Sequence, residues 1–497
     1  MTTLIGIIIY LLFGLTLYFI RPSSKIHKTY FDFSNIKHKM IWILSCVITI
    51  LICTIPMKYN PLWNGDIPEH RNQYELISDQ LIKGEISFDY KVDEKLIEMD
   101  NPYDYQARED KKIDYYWDHA FYNNKYYMYF GIVPAIILFV PFKLITGKTL
   151  ITYQATQIFT LFFIIGIYAL FSLLMKKIEK KFSIFVVIFT SMSISIMSIW
   201  YIAAAPALYC TAIVSGMCMM IWSFYFFFKA AYICNKENLC LVFATIGSLF
   251  GALAFGCRPP IALANIIAIP MYIDFLKEKK KTTKFILKNI LIFIPYIIIG
   301  LLLMYYNYIR FDNIFEFGQS YQLTVTDQSN YGNLLANFNL LDYLYALYYN
   351  FLNVSLTFEL PHIGCLFTYP IIICAGILAM IKYNKHKQPL FLSKVILTSI
   401  ISILLIICID TLSAPQPSPR YRLDFIWIIS IIVMILVINF VDILNNNSAY
   451  IYTLSCFATI CISVLLFISP HNSNLTAYFW PESKQLILKI FSLGLYK

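Results

Sequence analysis

Arg258, Arg310, Arg420 and Arg422 stand at the ends of later apolar runs in this chain. Arg258 precedes Pro259-Pro260, Arg310 closes the run that ends Tyr305-Tyr306-Asn307-Tyr308-Ile309-Arg310-Phe311, and Arg420 and Arg422 sit in Pro417-Ser418-Pro419-Arg420-Tyr421-Arg422-Leu423-Asp424. A guanidinium grips phosphate oxygens bidentately, so arginines converging on one face suit an anionic headgroup. A second concentration of chemistry is the stretch 57-127, which carries 15 of the 29 Asp and Glu residues. A solvated loop of that length has to be polar, and Arg near an apolar run ordinarily snorkels to lipid headgroups. Acids and arginines on the same face have a further use. Together they suit a site with a carboxylate acid or base and cations for a lipid-linked anionic donor.

The elements that must position these residues are membrane helices. The 497 residues are 59% apolar and 14% charged, with mean hydropathy +0.64. A soluble domain carries about 25% charged residues, which excludes a large soluble enzyme. The 12 cysteines form no CxxC pair and mostly lie inside apolar runs, so they read as small buried hydrophobes rather than a disulfide framework. The net charge of +10 takes its meaning from membrane sidedness, and no nucleic-acid partner is expected. The chain is expected to be an all-α polytopic membrane protein, one integral domain over 1-497. About twelve spans are expected, near 3-20, 40-57, 151-175, 183-201, 207-231, 239-256, 260-276, 286-306, 364-383, 394-412, 423-442 and 450-468.

A thirteenth apolar stretch, 128-142, is short and interrupted by Pro134 and Pro141. If it does not cross, the loops 21-39, 176-182, 229-238, 277-288 and 382-394 share one side and hold 21 Lys and Arg against four acids. That is the positive-inside pattern, and a crossing would destroy it. The stretch therefore reads as an interfacial helix within a folded outer loop, 57-150, with both termini outside. A second outer segment, 307-363, is aromatic, and its Tyr343 to Phe351 fits a headgroup belt.

Four stretches carry a family resemblance: Asn64-Gly65-Asp66-Ile67-Pro68-Glu69-His70-Arg71-Asn72-Gln73-Tyr74; Asn124-Lys125-Tyr126-Tyr127-Met128-Tyr129-Phe130-Gly131-Ile132-Val133-Pro134; Tyr306 to Phe311 with Phe315-Glu316-Phe317-Gly318-Gln319-Ser320-Tyr321-Gln322-Leu323; and Arg420-Tyr421-Arg422-Leu423-Asp424-Phe425. Their order, over roughly 60-430, resembles the GT-C class of integral-membrane glycosyltransferases, which includes protein O-mannosyltransferases and bacterial aminoarabinose transferases. The resemblance implies sugar transfer from a polyprenyl-phosphate donor on the outer face, with an essential carboxylate early in the first large outer loop. Asp66 is in the matching place. It would be the base that activates an acceptor hydroxyl, with inversion at the anomeric carbon. Several relatives have an adjacent Asp-Glu pair there, whereas Asp66 and Glu69 are three apart, so Glu69 remains an alternative. Asp118, in Trp117-Asp118-His119, is the second acid.

Arg258, Arg310, Arg420 and Arg422 would hold the lipid phosphate as charge develops on it. Tyr74, Tyr129, Tyr321, Tyr421 and Gln319 of the matching stretches are the expected substrate contacts. There is no DxD motif, so neither a cofactor nor a divalent metal is expected; His70 and His119 lack a third ligand at diagnostic spacing and read as surface or hydrogen-bonding groups. The expected partners are the polyprenyl-phosphate sugar, membrane lipids and an acceptor that is a glycan, lipid or protein. A composition rich in Ile, Lys, Asn and Tyr points to a bacterium, hence to a bacterial plasma membrane with the site facing out. Two other classes fit in part: a polymerase or ligase of lipid-linked oligosaccharides, and a flippase or transporter of lipid-linked sugars. The ligases usually place their main outer loop late, and a transporter wants charges at mid-membrane.

Overall fold

The computed structural model describes residues 2-58, 73-178, 182-278, 283-329, 338-354, 362-382, 390-413, 417-440, 446-468, 489 and 492-493. Asp66, Glu69 and His70 lie outside the described residues. The helices are α1 (Thr2–Ile20), α2 (Ile36–Lys58), α3 (Gln73–Ile82), α4 (Glu94–Ile97), α5 (Tyr105–Asp110), α6 (Val140–Thr146), α7 (Thr152–Ile178), α8 (Ile184–Ala204), α9 (Leu208–Phe228), α10 (Glu237–Cys257), α11 (Pro259–Ala262), α12 (Ala268–Glu278), α13 (Thr283–Phe311), α14 (Leu340–Phe351), α15 (Cys365–Thr368), α16 (Pro370–Lys382), α17 (Leu390–Ser413), α18 (Leu423–Phe440) and α19 (Asn446–Ile468). The chain is thus an all-α polytopic membrane protein. Among the described residues nine helices are long and apolar enough to cross a bilayer, with shorter apolar helices at Gly6–Ile20, Ala135–Thr146, Pro370–Met380 and Leu423–Asn439.

Two expected spans are interrupted for visible reasons. The run 364-383 breaks at Tyr369 (φ −122°, ψ 91°), because Pro370 disfavours helical backbone in the residue before it, and the long helix restarts at the proline. The run 260-276 tightens to a 3₁₀ turn at Leu263–Ile267. There Asn265 donates to the carbonyls of Gly251 and Ala262, and Tyr296 donates to its Oδ1 at 2.7 Å.

α9 lies at the centre of the bundle, flanked by α7 and α10 and largely buried. Hydroxyls cross-link the bundle where hydrocarbon offers no water: Thr156 to Thr211 at 2.7 Å, Ser198 to Ser430 at 2.9 Å and Thr190 to Tyr452 at 3.0 Å. Thr156–Thr211 lies near the start of both α7 and α9, so these two run parallel. The ends of α8 and α10 lie at the same end of the bundle.

That end carries the loop between α2 and α7. The stretch 128-142 begins with Gly131 against the last turn of α10 and leads through a π-helical turn, Ala135–Phe139, and α6 to Thr152, which is bonded to Glu75 of α3. It starts and finishes at one end of the bundle. The loop is not purely helical. β1 (Tyr30–Phe31) and β4 (Phe182–Ser183) pair elsewhere, and β2 (Ala120–Tyr122) with β3 (Lys125–Tyr127) forms a hairpin in the loop. Asn123 and Asn124 turn it at φ 48° and 58°, the left-handed pair of a type I′ turn. Tyr90 stacks on Tyr116 at 3.9 Å beneath the hairpin, with Phe88 and Tyr126 around them.

Candidate functional site

The segment 321-324 completes the loop. Leu323 donates its N–H to the His119 carbonyl at 2.9 Å, Asp118 donates to the Leu323 carbonyl at 3.1 Å, and Phe121 donates to Tyr321 at 2.8 Å, so 321-323 lies along the hairpin's first strand. Arg108, fully buried, reaches the carbonyls of Pro102 and Thr324 and ties the two segments together. Asp118 is set by this pairing. It has φ 57°, is nearly buried, and its Oδ1 accepts from Gln322 at 3.0 Å while its carbonyl accepts from Gln73 at 2.8 Å. His119 is not at the surface: it is buried edge-on to Phe88, Tyr90, Tyr116 and Tyr126, with Nδ1 2.8 Å from the Trp117 carbonyl.

Tyr129 links the loop to the bundle. Burial raises its phenol above the ordinary tyrosine range; the Asp118 carboxylate pushes the same way, and the nearby Arg420 and Arg258 act against it. The close approach depends on Gly131, where a Cβ would fall 2.2 Å from the Gly256 carbonyl oxygen and 2.3 Å from that of Cys257. The loop backbone can therefore lie on the end of α10, directly before Arg258. Tyr74 donates to the Gly131 carbonyl at 3.2 Å and has Tyr129 and Arg258 as electrostatic neighbours.

The four arginines divide. Arg258 faces Asp424 through Nε–Oδ1 and Nη2–Oδ2 hydrogen bonds, both 2.6 Å, and Asp424 is fully buried. This bidentate pair joins the end of α10 to the start of α18. Arg310 is buried and folds back on its own surroundings, donating to the carbonyls of Met128 and Tyr306 and to Asn307 Oδ1, with its guanidinium 3.8 Å from the Tyr306 ring centroid. Arg422, also buried, donates to the Ile363 carbonyl at 2.8 Å. Arg420 differs from these. It is half-buried, its guanidinium lies 4.1 Å from the Tyr209 ring centroid and 3.4 Å from the Tyr421 hydroxyl, and among the described residues no carboxylate bonds to it.

The structure therefore brings Asp118, Tyr129, Tyr74, Arg258, Arg420 and Tyr421 into one neighbourhood. Arg310 and Arg422 lie beside it, hydrogen-bonded to backbone carbonyls. Tyr321 packs with Tyr122, Phe311 and Tyr103, and Gln319 donates to Gln322 and Gln328, so Gln319 is linked to Asp118 through the Gln322 bond. Two residues without an assigned role belong to the neighbourhood: Asp424 and Asp410, the latter close to the end of α17 with Asp424, Arg258 and Arg420 as its charged neighbours. An acid within the apolar run Ile403 to Thr411 was a readable signal for Asp410. Among the described residues no three His, Cys, Asp or Glu side chains are grouped to hold a metal ion. No family model, no curated protein and no solved structure matches this chain.

Proposed function

We propose that the chain is a glycosyltransferase of GT-C type, with twelve spans in a bacterial plasma membrane and its site on the outer face. It moves a sugar from a polyprenyl-phosphate donor to an acceptor hydroxyl. The observation that carries this reading is Arg420: a guanidinium held over Tyr209 at the loop end of the bundle, with no carboxylate bonded to it among the described residues, in a neighbourhood that includes the buried carboxylate of Asp118.

In this reaction the acceptor oxygen bonds to the anomeric carbon as the bond to the phosphate oxygen breaks, and the acceptor proton passes to a carboxylate. Asp66 is that base and Asp118 orients the sugar or acceptor. The leaving group is the lipid phosphate, whose negative charge Arg420 stabilises through charge-assisted hydrogen bonds. Arg258 contributes by holding α10 and α18 at the spacing the site needs. In-line displacement inverts the anomeric centre.

The charges of the described spanning helices lie near their ends, as with Lys394 and Asp410 of α17, which supports this reading over a transporter with mid-membrane charges. The test is to incubate the protein in proteoliposomes with labelled polyprenyl-phosphate monosaccharides and an extract of envelope acceptors. Release of bare polyprenyl phosphate with transfer of label supports the reading; an intact donor across the sugar panel opposes it.

A further inference from the structure

The Arg258–Asp424 ion pair has a third member. The Asp410 carboxyl, 8% exposed near the end of α17, is hydrogen-bonded to the fully buried carboxyl of Asp424. A carboxylate oxygen has no hydrogen to donate, and two ionised carboxylates in contact repel, so this bond requires that the two groups hold a proton between them. Asp424 is the member that stays ionised, because both of its oxygens accept from Arg258 at 2.6 Å, whereas among the described residues no lysine or arginine bonds to Asp410. The proton therefore resides on Asp410 and is donated to Asp424.

That proton decides the charge of the neighbourhood. Arg258 and Arg420 each bring a positive charge, and the protonated acid pair brings a single negative one, so one positive charge is left over. Without the proton the four groups would cancel. Asp424 engages Arg258, which leaves the surplus on Arg420. The other titratable groups around Arg420 are the phenols of Tyr129, Tyr201 and Tyr421, none of them a cation, and Asp118 beside Tyr129 is bonded to Gln322 and to neither arginine. On α14 the residues next to Asp410 are Ala346 and Asn350, which do not titrate. A surplus of one positive charge matches a phosphodiester, whose phosphate carries a single negative charge, better than a monoester, which carries up to two.

We propose that Asp410 is a positioning residue that acts through Asp424: its proton keeps this end of α10, α17 and α18 one charge positive and so fits Arg420 to a phosphodiester monoanion. The ligand class rests on the glycosyltransferase reading, since a polyprenyl-phosphate sugar is such a diester; the shared proton does not. Loss of the proton as pH rises gives the pair a second negative charge, so diester affinity falls with rising pH. Asp410→Asn supplies an amide N–H to Asp424 in place of the acid proton and cannot titrate, which locks the low-pH charge.

The experiment uses the full chain in nanodiscs, as wild type and Asp410→Asn. Infrared difference spectra near neutral pH should show the C=O band of a protonated carboxylic acid in wild type that the variant lacks; identical spectra overturn the shared proton. Dimethyl phosphate, a diester of constant charge, is then titrated by phosphorus NMR line broadening between about pH 5 and 10. Wild-type affinity should fall about tenfold over this range as one negative charge is added near Arg420, while Asp410→Asn keeps its low-pH affinity throughout. Parallel profiles, or no diester bound at any pH, overturn the charge-setting role. Wild type alone gives a second measurement: the acid band should vanish over the interval in which affinity falls, and a fall in affinity with the band intact also overturns the proposal. Diester binding with this profile but an intact donor in the transfer assay counts against the glycosyltransferase reading and leaves the proton assignment standing.

Discussion

Arg258 and Asp424 are 166 residues apart in the chain and meet through two parallel hydrogen bonds of 2.6 Å. The pair fixes the end of α10 against the start of α18. Breaking a buried pair leaves one charge uncompensated, at about 3–5 kcal/mol. Arg258→Ala and Asp424→Asn should each lower the thermal unfolding temperature sharply, while Arg258→Met with Asp424→Leu recovers much of the loss. Differential scanning fluorimetry of the three variants in detergent checks this; unchanged unfolding of Arg258→Ala would show that the pair holds nothing.

Gly131 is predicted to be intolerant of even one methyl group, because a Cβ there meets backbone oxygens of Gly256 and Cys257 that cannot turn aside. Overpacking of this kind costs about 1–3 kcal/mol. Gly131→Ala should move Tyr129 away from Arg258 and cut turnover more than it cuts expression. Equal activity at equal expression would dissociate the loop contact from the site.

Glu75 gives a pH signature. Burial raises its carboxyl above the ordinary carboxylate range, although Thr152 donates to it from both N–H and hydroxyl at 2.7 Å. The folded state therefore binds the proton more tightly than the unfolded state, whose glutamates titrate near about 4.3. Its contribution is fully present below that value and is lost as pH rises through the folded value. Glu75→Gln keeps both acceptor contacts and needs no charge, so it should raise stability at neutral pH and flatten this part of the profile. Unfolding midpoints from pH 4 to 8 for both proteins measure it; parallel curves would contradict the assignment.

The base is predicted to be Asp66. Asp66→Asn keeps size and removes basicity, so turnover should fall by a factor of about 100 or more with expression intact. Asp118→Asn should lose less, because Asn tolerates the left-handed backbone at φ 57° and still accepts from Gln322. Single-turnover transfer assays on these and Glu69→Gln rank the acids, and full activity in Asp66→Asn with loss in Glu69→Gln would move the base three residues.

Much of this architecture was legible in the sequence because helix spans are local: length and hydropathy located most helices to within a few residues, and Pro370 marked its own break. The hairpin at 120-127 was also legible, since Asn123-Asn124 between Phe121-Tyr122 and Lys125-Tyr126-Tyr127 is a type I′ signal, although the apolar reading of the stretch passed over it. The arginines were not. Nothing local distinguishes Arg258, paired with a residue of α18, or Arg310, held by the Met128 carbonyl, from Arg420, which has neither kind of partner among the described residues. Those differences are set by tertiary packing across more than a hundred residues.

The account turns on Arg420 as the cation that meets the lipid phosphate. Its direct measurement is a binding titration of polyprenyl phosphate with purified wild type, Arg420→Lys and Arg420→Ala at matched expression. A charge-assisted hydrogen bond is worth about 1.5–3 kcal/mol, so Arg420→Ala should weaken binding roughly ten- to hundredfold. Arg420→Lys should restore only part of it, because a point charge lacks the bidentate fork. Three equal dissociation constants would contradict the account and leave Arg420 as a headgroup anchor stacked on Tyr209.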